Sequence, residues 1–174
     1  MQESWLMLTL VGKDRPGIVA RVSKVLFEEG CSLGEASMMR LGGNFTIMLM
    51  VRCRNARHSL GALLAPVADA LGLRVHIDPM DGGLHRHLEP DVRITVFGAD
   101  RPGIVAQVTG ALAEAGLNIL DLTSDVGGKE DQPIYIMQIE GQALQGIDAL
   151  RRALEAVTRG GIEARLTPID TVIG

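Results

Sequence analysis

The stretch "DRPGIVA" occupies Asp14–Ala20 and returns unchanged at Asp100–Ala106, eighty-six residues later. Around it, Gly12–Ser37 aligns without a gap on Gly98–Thr123, and twelve of the twenty-six pairs are identical. A period this long exceeds the roughly 20–50 residues of solenoid repeats and specifies two whole domains. At 174 residues the chain has room for both, because domains extend down to about 50 residues.

Each half carries the same succession of patterns. Leu6, Leu8 and Leu10 alternate with Met7 and Thr9, a half-buried strand. Ile18, Val19, Val22, Val25 and Leu26 then fall at helical spacing, and Gly30 supplies the C-terminal stop. "CSLGEASMMRL", a Gly42-Gly43-Asn44 turn and "FTIMLMVR" read as a hairpin. Leu60, Leu63, Leu64, Val67 and Leu71 mark a second helix closed by Gly72, and "LRVHID" gives a last strand.

The second half repeats this order with Val92, Ile94 and Val96, then Ile104, Val105, Val108 and Leu112. Next come "LNILDLTSDV", a longer turn "GGKEDQ" and "PIYIMQIE". Ile147, Leu150, Leu154 and Val157 make the second helix there, and "IEARLTPI" closes. "PMDGGLHRHLEP" has no period and reads as a linker. The expected organisation is a domain at 1–78, a linker at 79–90 and a domain at 91–174. The β-α-β-β-α-β order specifies an α+β fold, two ferredoxin-like sandwiches in tandem, each an antiparallel sheet with helices on one face.

The repeated phrase ends a strand and begins a helix. Asp14 is suited to cap the first helical amides, and Pro16 to sit in a turn where no N–H is needed. Gly17 lets another group approach the backbone closely. The free amides, with the helix dipole behind them, suit a small anion such as an α-carboxylate. Duplication copies plain turns too. However, neither a cap nor a turn needs Arg15 or Arg101, so each copy holds a charge with no local structural reason.

"GKDRPGIVARV" and "GADRPGIVAQV…NI" resemble the ACT domain, a regulatory module, over essentially the whole chain twice apart from the linker. The two-copy layout is similar to that of the glycine cleavage system transcriptional repressor group. This resemblance implies a free amino acid bound between the first loop of one copy and the second-strand start of a neighbouring copy. The loop positions are Asp14, Arg15, Pro16, Gly17 and Ile18, with Asp100, Arg101, Pro102, Gly103 and Ile104. The strand-start positions are Ser32 and Leu33, with Asn118 and Ile119. Loop amides would hold the carboxylate, while the Asn118 carbonyl or an Asp carboxylate would accept from the ammonium. Ser32-Leu33 departs from the family's usual Asn-Ile, so the site using Asn118 is expected to be the stronger.

Composition narrows the function classes. Net charge is −4 with the signs interspersed, and no Lys/Arg cluster exceeds Arg151-Arg152, so direct nucleic-acid binding is not expected. The opening "MQESWLMLTLVG" lacks signal-peptide features and no apolar run reaches about 18 residues, so a cytoplasmic location without a membrane span is expected. Cys31 and Cys53 are expected to be reduced, mostly buried thiols. His85 and His87 read as solvated linker residues, short of a zinc signature. His58 reads as solvated at a helix entry, and His76 as lying on the outer sheet face.

No nucleophile elbow, P-loop or dinucleotide fingerprint occurs, so neither catalysis nor a cofactor is expected. The leading reading is a non-enzymatic regulator that binds a small amino acid and acts on a protein partner, a transcription regulator, or through a homodimer. Glycine is suggested by the resemblance alone. The rival is an interaction or dimerisation module without a functional ligand site. Met7, Thr9, Met48 and Met50 are expected outward on the first sheet, and Arg93, Thr95, Ile136, Gln138 and Glu140 on the second. Methionines there would make an adaptable contact face.

Overall fold

Leucine at every second position makes one side of the first strand a core surface. β1 (Leu6–Lys13) buries Leu6, Leu8 and Leu10, while Met7, Thr9 and Val11 lie on the other face. The computed structural model describes residues 5–53, 56–80, 88–99, 102–129, 132–158 and 162–169. They fall into two compact units, Met1–Arg86 and His87–Gly174.

In the first unit, α1 (Ile18–Glu28) lays Ile18, Val22 and Leu26 onto the sheet. It stops where the Gly30 N–H donates to Phe27 O at 2.9 Å and the Cys31 N–H to Leu26 O at 3.0 Å. β2 (Ser32–Leu41) and β3 (Asn44–Arg52) are joined by the two-residue turn Gly42-Gly43. α2 (Ala56–Leu71) presents Leu60, Leu64, Val67 and Leu71 to the core. Its interior Pro66 removes one backbone donor, and apolar contacts on either side of it hold the helix down. β4 (Arg74–Pro79) completes an antiparallel sheet of order β2-β3-β1-β4.

The second unit repeats the plan with β5 (Val92–Ala99), α3 (Ile104–Glu114), β6 (Leu117–Lys129), β7 (Gln132–Ala143), α4 (Ile147–Thr158) and β8 (Ile162–Pro168). Its sheet order is β6-β7-β5-β8. Val92, Ile94, Val96, Met137 and Ile139 meet Val108, Leu112, Leu150 and Leu154 in its core. The ferredoxin-like architecture expected from the repeat is therefore present twice.

Four expectations need correction or placement. Cys31 and Cys53 are not free thiols but a disulfide. The register pairs Ser32 with Arg52, so folding back at Gly42-Gly43 sets the two flanking cysteines opposite each other. The thiol count therefore no longer argues for a reducing compartment. "GGKEDQ" is not a long turn, because the β6–β7 ladder continues to Lys129↔Gln132. Met48 is 47% exposed as expected, but Met50 is only 3% exposed, crowded with Gly34 and the Trp5 ring on the helix-free face. Within the expected linker, Pro79 closes β4, while 81–87, with His85 and His87, lie outside the described residues.

Among the described residues no helix is long and apolar enough to cross a membrane, and no group of His, Cys, Asp or Glu could hold a metal ion.

Two glycines separate steric need from chance. A Cβ on Gly141 would lie 2.3 Å from the Asn118 carbonyl oxygen, a backbone atom with nowhere to go. Gly141→Ala should cost about 3 kcal/mol or more. Gly110, inside α3 with open space around it, should gain about 0.5–1 kcal/mol on substitution by Ala. Denaturant unfolding of both variants checks this; a neutral Gly141→Ala would contradict the register.

Candidate functional site

α1 begins without a side-chain cap. Its N-cap is Gly17, held left-handed at φ 85, ψ 3, and no side-chain hydrogen bond reaches the first amides. α3 begins the same way at Gly103, φ 89, ψ −5. A residue with a Cβ is strained at that φ, and around each glycine the space a Cβ would take is empty. The first amides of a helix have no intrahelical acceptor, so here they remain available to a ligand at the positive end of the dipole.

Asp14 does not cap this helix, contrary to expectation. Its N–H donates to Gly43 O at 3.0 Å, and its carboxylate meets the Arg40 guanidinium at 2.5 Å. Arg40 is near because the Gly42-Gly43 turn brings the end of β2 back beside the end of β1. The Arg40 side chain is 68% exposed and that of Asp14 23%, so the pair contributes at most about 1 kcal/mol and mainly orients the loop. Arg15 makes no ion pair among the described residues. Among those residues its charge has no structural employment.

These groups border an open cleft of about 480 Å³. Asp14, Arg15, Pro16 and Gly17 form one side, Met38 and Arg40 the other, and buried Phe45 the floor. Met38 and Arg40 were missed in the sequence. The only signal for them was the hairpin turn that folds β2 toward the loop. In the second unit Pro102, Gly103 and Ile104 repeat the geometry of Pro16, Gly17 and Ile18, while Asp100 and Arg101 lie outside the described residues. By register Val126 stands where Arg40 does, so the second loop lacks that arginine.

The strand-start positions lie elsewhere in each unit. Ser32 pairs with Arg52, and the adjacent Val51 pairs with Leu6, the first residue of β1; the loop follows Lys13, the last. Along an eight-residue strand that separation is roughly 20 Å. Asn118 and Ile119 sit likewise at the Val92 end of β5, far from Gly103. No single amino acid spans loop and strand start within one unit.

The strand starts share one irregularity. The ladder slips between Leu33 and Ala36, and again between Ile119 and Asp121. Such bulges re-aim the backbone beside binding sites. Leu33 is 45% and Ile119 36% exposed, so both strand starts are open to a neighbour.

The chain resembles proteins already known. The chain is 26% identical over 139 residues to the glycine cleavage system transcriptional repressor of Escherichia coli, covering 79% of this chain and 73% of that protein. Over 72 residues the chain is 36% identical to the UPF0237 protein YjhC of Lactococcus lactis, covering 41% of this chain and 83% of that one. The fold matches the crystal structure of an unknown protein from Galdieria sulphuraria, with a TM-score of 0.76 at 22% identity over 97% of this chain and 100% of that one. It also matches a candidate glycine cleavage system transcriptional repressor, with a TM-score of 0.72 at 18% identity over 98% and 100%. ACT domain families match residues 4–78 and 92–158, and the chain belongs to the ACT domain family, with two copies in tandem.

Proposed function

We propose that this chain is a regulatory protein that binds a small free amino acid through its ACT domains and passes occupancy to a protein partner. The observation that carries this reading is the uncapped helix start on a left-handed glycine, present in both copies. Its amides offer a seat for an α-carboxylate, with Arg15 beside it in the first copy. The ammonium is accepted at a strand start, Asn118 in one site and Ser32 in the other, supplied by a neighbouring copy because neither strand start reaches its own unit's loop, and because Arg40 already engages the Asp14 carboxylate in the first loop. A ligand shared between two copies favours one mutual arrangement, which is what regulation requires. Glycine is our first candidate and a transcription regulator our first partner, both by analogy with the named relatives.

A second reading rests on the edge strand. Leu33, Met38, Met39 and Leu41 of β2 are exposed together, a surface suited to an interaction or dimerisation module with no ligand. A thermal-shift screen of the twenty amino acids separates the two. Sensing predicts stabilisation by a few small amino acids; no shift with any of them leaves the interaction module.

Calorimetry with the stabilising amino acid should resolve two unequal sites. Asn118→Ala should weaken the stronger about tenfold, the value of a hydrogen bond to a charged group. Two equal sites, or an unchanged Asn118→Ala, would contradict the assignment.

Arg40→Ala should leave folding within about 1 kcal/mol. By freeing Asp14 for the ammonium, it should also strengthen the site at the first loop. A weaker site there would mean that Arg40 itself holds the carboxylate.

A further inference from the structure

The Cys31–Cys53 bridge closes the open end of the β2–β3 hairpin, one residue outside the pair Ser32↔Arg52. Beyond it, only Ser32↔Arg52 and Leu33↔Val51 pair before the bulge interrupts the ladder. The strand start of the first unit is therefore held by two register pairs, the Cys31 N–H bond to Leu26 O and one covalent bond. Around it, Trp5 stacks on Arg52 at 4.9 Å and its ring crowds Gly34. Both cysteines are half-buried, so one edge of the bridge remains reachable. In the second unit the equivalent pair is Leu117↔Ala143, which has no redox chemistry.

From this placement we infer that the Cys31–Cys53 bridge is a redox latch on the strand start of the first unit, and that it sets the amino-acid affinity of the site using Ser32 and Leu33. This consequence rests on the sensing role proposed above. A thiolate of a dithiol reductant attacks one bridge sulfur, forming a mixed disulfide and releasing the other cysteine as a thiolate, which takes up a proton. The reductant's second thiol then displaces the remaining cysteine. Two protein thiols and one oxidised reductant result. Where cells keep thiols reduced, bridges of this kind are transient and redox-sensing. With the bridge open, the two register pairs fray and the strand start loses its fixed geometry. The second unit is unaffected, so redox state changes one site and leaves the other.

The test compares the full chain oxidised and after dithiothreitol, with Cys31→Leu/Cys53→Ala, which copies the second unit's pair, as the redox-blind control. Amide exchange at residues 32–35 and the fluorescence of Trp5 read the latch. Exchange at 117–119 is the internal reference, and calorimetry with glycine and with serine reads the sites. Reduction should speed exchange at 32–35, leave 117–119 unchanged and weaken one of two sites by at least about fivefold, the lower end of site-to-site coupling. Unchanged exchange at 32–35, equal changes in both units, a response in the redox-blind variant, or faster exchange with unaltered binding would each overturn the inference. No binding of either amino acid in either state, together with faster exchange at 32–35, would instead remove the sensing role and leave the latch as a conformational device.

Discussion

A left-handed glycine immediately before a helix is the constraint from which the rest of each unit follows. Gly17 and Gly103 turn the chain from strand into helix without a side chain over the first amides. The helix is then anchored by what comes after, Ile18, Val22 and Leu26 in one unit and Ile104, Val108 and Leu112 in the other. Burying such side chains is worth about 1.5–3 kcal/mol each, far more than the fraction of a kilocalorie that a charge near a helix end contributes. The fold can therefore leave its helix starts bare. Stability is carried by the core, and the exposed amides are left for something else.

The same geometry separates the two halves of the expected site. Loop and strand start stand at opposite ends of β1 in the first unit and of β5 in the second. An amino acid is several times shorter than that distance. Within one unit, therefore, a zwitterion cannot be held at both ends.

Much of this was legible in the sequence because it is local. Alternating leucines, helical spacing and turn glycines specify strands, helices and hairpins from neighbours a few residues apart. The exact seven-residue repeat shows that the plan occurs twice. What escaped depends on chain segments that meet only after folding. The Cys31–Cys53 bridge and the Asp14–Arg40 pair both follow from the return of β3 and β2 around Gly42-Gly43, at separations no periodicity reports. The burial of Met50 depends on where the Trp5 ring falls, and alternation alone assigns it to the open face. Gly127 and Gly128 look like loop residues in the sequence, although the edge ladder of the second hairpin accepts them.

The two copies share a frame and differ where a ligand would feel it: Ser32 against Asn118, Arg40 against Val126, the disulfide against Leu117 and Ala143. One unit can thus respond differently from the other under the same conditions. The claim beneath all of this is that the bare helix starts receive the ligand. Titrating the nitrogen-15-labelled chain with glycine or serine, and following each backbone amide by NMR, tests it most directly. The account predicts that the largest shifts fall on Gly17 and Ile18 and on Gly103 and Ile104. Shifts confined to other parts of the sheets, or none for any small amino acid, would contradict it.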